Sequence, residues 1–139
     1  MESQGSLHKT YIGAGSNLSA KSAVQAIARS AQELARFGMV RTSATYRTSG
    51  VGVKSAGMIY HNAVFELVTT LDKTALTTEL KRYEDACGRD RSSLVIPIDL
   101  DLVVYDGEVL RPGDFSHSYF QTGYMQLTQV SNGEAEGSR

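Results

Sequence analysis

The chain has 139 residues, of which 41% are apolar, and its formal net charge is −1. These values suit one globular domain with a single core, and the charge gives no sign of a nucleic-acid or membrane-surface partner. No run approaches the roughly 18 apolar residues of a membrane span, and the polar N-terminus lacks a signal-peptide core. The single cysteine, Cys87, excludes an internal disulfide. We therefore expect a cytoplasmic protein.

The first half of the chain predicts a strand, a helix and a second strand. Residues 9–14 are typical of a short strand, and residues 19–37 of a helix whose start Ser19 or Asn17 could cap. Apolar residues recur in this helix at spacings of three and four, and the predicted buried stripe comprises Val24, Ile27, Ala31, Leu34 and Ala35. The β-branched segment 40–48 predicts the second strand.

A third strand and a second helix are predicted next. The segment 49–57 contains several glycines and predicts a loop, and residues 59–70 predict a strand. A helix is predicted over 73–87, capped by Asp72 and ended by Gly88. Its predicted buried stripe comprises Leu76, Leu80, Tyr83 and Cys87.

The last long predicted strand, 98–105, is followed by a turn and a short return strand. The resulting order, β-α-β-β-α-β, is the ferredoxin-like plan, an α+β fold in which two helices cover one face of an antiparallel sheet. We expect a single domain over residues 9–127. The polar segments 1–8 and 128–139 are predicted to be disordered.

Two carboxylates, Asp99 and Asp101, lie two residues apart in the last long strand. Because strand side chains alternate, both point to one face, with Leu100 and Leu102 on the other. Adjacent carboxylates repel each other unless a positive charge lies between them. Mg²⁺ is a common partner because it takes oxygen ligands and often brings substrate phosphates. The alternative is a solvated strand face whose carboxylates pair with nearby arginines.

Several short motifs follow one another along the chain. They are Ile12-Gly13-Ala14-Gly15-Ser16-Asn17-Leu18, Tyr46-Arg47-Thr48, Tyr60-His61-Asn62-Ala63, Glu84 before Gly88-Arg89-Asp90-Arg91, Asp99-Leu100-Asp101-Leu102 and His117. In this order and spacing, the chain resembles the 6-hydroxymethyl-7,8-dihydropterin pyrophosphokinase family over about residues 11–124. These transferases of folate biosynthesis move pyrophosphate from ATP to a pterin alcohol, so ATP and a pterin are the implied partners.

The resemblance implies a metal site and a pterin site. Asp99 and Asp101 match the family's catalytic pair, which holds two Mg²⁺ ions on the triphosphate of ATP. Tyr60 and Tyr124 match rings that stack on opposite pterin faces, and Asn62 matches an amide that bonds the pterin edge. The full implied pterin site comprises Thr48, Ser49, Val51, Tyr60, Asn62 and Tyr124.

The resemblance also implies a nucleotide site. Arg89 and Arg91 match a basic loop that meets the phosphates and takes part in catalysis. Glu84 and His117 match family residues near the nucleotide. Each assignment has a structural alternative: the arginines could be a solvated loop and Glu84 a helix-surface charge, and Tyr60 and Tyr124 could be core aromatics.

The chain also departs from the family pattern. The loop before Asp99 is shorter, and it lacks the family's tryptophan and the arginine next to the aspartates. The arginine expected after His117 is missing as well. We therefore expect an atypical enzyme with reduced turnover. Two alternatives stay open, a pterin- or nucleotide-binding paralogue with little or no transfer activity and a non-catalytic ferredoxin-like ligand-binding module.

Overall fold

The structure, a computed structural model, describes residues 5–50 and 57–137, with side chains described as far as residue 129. The strands in these ranges are β1 (His8–Ser16), β2 (Gly38–Thr42), β3 (Tyr46–Ser49), β4 (Ile59–Thr69), β5 (Asp99–Tyr105) and β6 (Glu108–Val109). The helices are α1 (Ala20–Leu34), α2 (Lys73–Ala86), α3 (Pro112–Ser116) and α4 (Ser118–Gly137). None of the helices in the described ranges is long and apolar enough to cross a membrane.

All of the strand pairs are antiparallel, and the sheet has the order β2-β4-β1-β5-β6, with β3 also paired to β4. The central strands β4 and β1 each have neighbours on both sides. The predicted α+β, ferredoxin-like class is therefore confirmed. The predicted strand over 40–48 was wrong in one respect, because it is interrupted: Ser43 breaks it by accepting the Val64 N–H at its hydroxyl, 2.9 Å away.

The two predicted helices lie on one face of the sheet, as expected. The sheet side of α1 consists of Ala23, Ile27, Ser30 and Leu34, and that of α2 consists of Leu76, Leu80 and Glu84. The predicted stripes were wrong at Val24, Ala35 and Cys87, all of which are exposed. Small residues such as Ala23 face the sheet in their place, and they allow a close approach of the helix.

A second core lies on the opposite face, where sequence patterns did not predict a helix. It is formed by α4 and consists of Tyr11, Val64, Val103, Val104, Phe120 and Leu127. A register shift between Tyr11 and Ile12 turns both Val103 and Val104 toward this face. Helix α4 continues to Gly137, into the segment 128–139 that was expected to be disordered.

The helix caps in the structure agree in part with those predicted from the sequence. The Asp72 side chain accepts the Ala75 N–H at 2.8 Å, as predicted for the start of α2, and Gly88 follows its end with φ +93°. At the start of α1, Ser19 occupies the cap position without a side-chain hydrogen bond. Asn17 has a different role, described below.

The contact between α4 and the sheet depends on a glycine. A Cβ at Gly123 would lie 2.7 Å from Val64 Cγ2, 2.8 Å from Ser43 Oγ and 2.9 Å from Tyr46 Oη. The same Tyr46 hydroxyl donates to the Tyr119 carbonyl at 2.7 Å and accepts the Gly123 N–H at 3.1 Å. Burial raises the pKa of Tyr46 to about 12, so this hydroxyl keeps its proton.

We expect Gly123→Ala to lower the free energy of unfolding by about 1–3 kcal/mol, because α4 must move away from the sheet. Urea unfolding measures this loss. Gly113→Ala is the matched control, since a Cβ at Gly113 meets nothing within 4 Å. Equal stability of the two variants would show that α4 does not pack as described.

Candidate active site

A cleft of about 240 Å³ opens on the α4 face of the sheet, at one end of β1, β4 and β5. Its floor is the backbone of β1, where Gly13 pairs with Asp101 and Gly15 with Asp99. A Cβ at Gly15 would come within 3.0 Å of the Asn62 amide. Two glycines at alternate positions therefore leave the space that a ligand requires, and strand glycines often mark such an approach.

Asp99 and Asp101 both line this cleft, while Leu100 and Leu102 are buried beneath the other face. The predicted shared face of the two aspartates is thus confirmed. Burial, and next the negative charge of Asp99, raise the pKa of Asp101 to about 7. Ionisation of both aspartates is therefore unfavourable in the empty cleft, and a divalent cation bound between them would favour the doubly charged pair.

Each aspartate of the pair has an arginine beside it. Arg89 is largely buried, and its Nη1 lies 3.2 Å from Asp99 Oδ1. Arg111 is half-exposed, and its Nη2 lies 3.9 Å from Asp101 Oδ1. Arg89, which the resemblance assigns to a loop that meets the phosphates, thus lies against Asp99. Arg111 was not predicted as a site residue.

A third carboxylate, Asp114, lines the cleft across from the pair. It accepts hydrogen bonds from the Tyr119 hydroxyl and from Arg111 Nε. Burial opposes ionisation of Asp114, but these bonds from Tyr119 and Arg111 lower its pKa overall. His117 stacks on Tyr119, with ring centroids 4.9 Å apart, in a shallow depression beside the cleft.

The other wall of the cleft comes from β3, β4 and α4, and its members are Thr48, Ser49, Gly50, Tyr60, Asn62, Tyr119 and Phe120. Thr48 Oγ1 donates to Asn62 Oδ1 at 2.6 Å. The only other bond of the Asn62 side chain within the described residues is a long one, 3.5 Å, from Nδ2 to the Ala14 carbonyl. Because Thr48 occupies the oxygen, the amide presents its NH₂ group to the cleft.

A family model described as 7,8-dihydro-6-hydroxymethylpterin-pyrophosphokinase (HPPK) matches residues 11–129, which is most of the chain. The chain belongs to the HPPK family. The predicted membership is confirmed, and it supports a pyrophosphokinase activity in folate biosynthesis. No individual curated protein gives a significant match.

Four of the six residues that the HPPK resemblance implies for the pterin site line the cleft. Thr48, Ser49, Tyr60 and Asn62 line the cleft, and Val51 lies outside the described residues. Tyr124 does not line it. Its ring stacks on that of Phe120, with centroids 5.4 Å apart, and also contacts the rings of Tyr11 and Phe115. The stacking role of Tyr124 on a pterin stays a prediction.

Glu84, an implied HPPK nucleotide residue, is fully buried and therefore cannot reach a ligand in the cleft. Its Oε2 accepts the Leu100 N–H at 2.6 Å, and its Oε1 accepts from Arg91 Nη2 at 3.1 Å. Burial raises the pKa of Glu84, although the bonds from Leu100 and Arg91 favour its charged form. Glu84 thus holds β5 between the two aspartates, and Arg91 points to Glu84 and not to the cleft.

Asn17 fixes the short loop that precedes the aspartates. Its Oδ1 accepts the Ile96 N–H and its Nδ2 donates to the Leu94 carbonyl, both at 2.7 Å, while its own N–H donates to the Ile96 carbonyl at 3.1 Å. Ile96 lines the cleft. The polar side chain after β1 therefore positions a cleft wall and does not cap α1.

Two features of the sequence could have indicated further site residues. The alternating Gly13 and Gly15 indicate a strand face without side chains. The antiparallel hairpin of β5 and β6 pairs Val104 with Val109, and Leu110 N–H bonds to the Val103 carbonyl. Continuing that register places Arg111 level with Leu102, next to Asp101 along the chain, although strand alternation alone would put the Arg111 and Asp101 side chains on opposite faces. We find no comparable signal for Phe120.

Proposed function

We propose that this protein transfers pyrophosphate from ATP to 6-hydroxymethyl-7,8-dihydropterin in a Mg²⁺-dependent reaction. The observation that carries the proposal is one cleft that combines two different sites. Asp99 and Asp101 form an anionic end, and Tyr60, Asn62 and Phe120 form a partly aromatic wall beside it. A metal–triphosphate and a flat polar heterocycle can thus be held next to each other.

The carboxylate oxygens available in the cleft suit Mg²⁺ as ligands. No group of three or more His, Cys, Asp or Glu side chains that could enclose a metal occurs in the part of the chain that the structure describes. Mg²⁺ commonly binds through one or two carboxylates and takes its other ligands from water and substrate phosphates. Asp99 and Asp101 would provide those carboxylates. When bound, Mg²⁺ neutralises charge on the triphosphate and on the atoms that react.

The pterin would lie against the aromatic wall. Tyr60 offers a ring surface for a flat heterocycle, while the buried Phe120 supports the wall from behind. The Asn62 NH₂ group offers donors to acceptors on the edge of the heterocycle. For transfer to occur, the hydroxymethyl group of the pterin must lie toward the anionic end of the cleft. Arg89, held against Asp99, would contribute positive charge behind the anionic end of the cleft. Catalysis would then depend on positioning and electrostatics, as in other phosphoryl transfers.

Variants of the wall test the pterin site. We expect Tyr60→Leu to weaken pterin binding by about tenfold or less, because a stacked ring contributes roughly 0.5–1.5 kcal/mol. Asn62→Ala should weaken it by about 10- to 100-fold, since a buried polar group of the ligand loses its partner. Asn62→Asp should behave like Asn62→Ala, because the presented group is a donor. Calorimetric titration of the pterin measures all three.

The control for these variants is Tyr124→Phe, which keeps the ring and removes a hydroxyl from a residue that does not line the cleft. It should leave pterin affinity within twofold of wild type. If Tyr60→Leu and Asn62→Ala also bind as wild type does, the pterin does not occupy this wall.

The function itself is tested by calorimetry of ATP with and without Mg²⁺, of the pterin alcohol, and by an assay for AMP. An active enzyme binds both ligands and forms AMP only when both are present. Binding of both ligands without AMP would identify a non-transferring paralogue. Failure to bind ATP with Mg²⁺ would overturn the proposal in favour of a different ligand-binding role.

A further inference from the structure

We propose that Arg111, which lines the depression beside the cleft, provides a phosphate-facing positive charge at the edge of the cleft. Asp114, which lines both the depression and the cleft, is the positioning residue that holds Arg111 there. This inference rests on the proposed function. It assigns a role to two residues that neither the sequence motifs nor the family resemblance identified. It also supplies a cation close to Asp101, where the shortened loop has none.

The first support is where Arg111 lies. Its Nη2 is 3.9 Å from Asp101 Oδ1, which is longer than a hydrogen bond. The guanidinium is therefore close enough to contact a ligand bound at Asp101, although no hydrogen bond fixes it to that aspartate. Half of the side chain is exposed to solvent, so a triphosphate entering the cleft could reach it.

The second support is how Arg111 is held. Its Nε bonds to Asp114 Oδ2, and Asp114 is held in turn by the Tyr119 hydroxyl at its other oxygen. The Nε edge is thus used for anchoring, and the Nη2 end faces Asp101. An arginine anchored in this way loses little freedom when it binds a phosphate, because its planar fork is already oriented.

The third support is the contrast with the other cations near the aspartates. Arg91 bonds to the buried Glu84, and Arg89 is largely buried against Asp99. Arg111 is the cation beside the pair that combines solvent exposure with a loose contact to an aspartate, among the residues that the structure describes. It therefore has the greatest freedom to exchange a carboxylate for phosphate oxygens.

The test uses the full chain and two titrations with opposite expected signs. In Arg111→Gln, affinity for ATP in the presence of Mg²⁺, measured by calorimetry without pterin, should fall by about 10- to 100-fold, since a charge-assisted bond is lost. Affinity for Mg²⁺ alone, followed by NMR of β5 amides, should rise by about two- to fivefold, because a positive charge beside Asp101 has been removed. A merely structural role would not move the two affinities in opposite directions.

Two further variants separate charge from position. Asp114→Asn keeps the positive charge but loosens its anchor, so ATP affinity should fall less than in Arg111→Gln. Arg111→Lys should restore part of the lost affinity, because the charge is kept without the fork. The control is Arg82→Gln, an exposed arginine on α2 that pairs with Glu79, and it should bind both ligands as wild type does.

Unchanged ATP affinity in Arg111→Gln, with a wild type that binds ATP and forms AMP, would overturn the role of Arg111 and leave the proposed function standing. A change of both affinities in the same direction would also overturn it. A wild type that fails to bind ATP with Mg²⁺ would remove the proposed function and this inference together.

Discussion

Asp101→Asn should abolish pyrophosphate transfer and yet stabilise the metal-free protein at pH 8. Removing one of the two carboxylates that would hold Mg²⁺ removes several kcal/mol of charge stabilisation in the transition state, which corresponds to a rate loss of about 10³-fold or more. The same change relieves the repulsion between Asp99 and Asp101, which burial strengthens. Activity and stability should therefore change in opposite directions.

The pH dependence follows from the raised pKa of Asp101, about 7 in the folded protein. An aspartate in the unfolded chain has a pKa of about 3.9. Between these values the folded state holds a proton that the unfolded state has lost, so stability falls as the pH rises from about 4 to 7. Asp101→Asn should thus match wild type only below about pH 4, and its stability advantage should grow by about 1–3 kcal/mol between pH 5 and pH 8.

Urea unfolding at pH 5 and pH 8 in the presence of a chelator measures this difference, and an AMP assay measures the rate. Asp85→Asn on the exposed side of α2 is the control, and it should change neither quantity at either pH. A variant that keeps its rate would exclude the metal role of Asp101. A variant that is less stable than wild type at pH 8 would show that the pair is already neutralised within the protein.

Glu84→Ala should lower the free energy of unfolding by about 2–4 kcal/mol, the largest stability loss that we expect from a single polar side chain here. Truncation leaves the buried Leu100 N–H without its acceptor, which costs about 1–3 kcal/mol, and it opens a cavity beneath β5. Because Leu100 lies between the two aspartates, their geometry should loosen and turnover should fall as well.

Two further variants show whether the loss in Glu84→Ala comes from the buried hydrogen bond to Leu100. Glu84→Gln keeps an oxygen for the Leu100 N–H but removes the charge that pairs with Arg91, so it should retain most of the stability. Glu79→Ala truncates a carboxylate on the outer side of α2, whose partner is the exposed Arg82, and should cost less than about 0.5 kcal/mol. Equal losses in Glu84→Ala and Glu79→Ala would contradict the buried role of Glu84.

The sequence by itself determined those features that depend on local periodicity. Alternation along β5 placed Asp99 and Asp101 on one face and Leu100 on the other, and the structure has this arrangement. The order of strands and helices was enough to indicate the ferredoxin-like plan. The side-chain cap at Asp72 was also predicted, because it depends on neighbouring residues only.

Only the tertiary structure decided which side chains meet across the cleft. Phe120 and Tyr124 lie on the same helix, and the way α4 packs on the sheet determines that Phe120 lines the cleft and Tyr124 does not. Glu84 is buried because α2 packs over the start of β5. Arg111 reaches Asp101 through the β5–β6 hairpin. These contacts join residues far apart in sequence or depend on how one element is rotated against another, and local patterns carry no information about either.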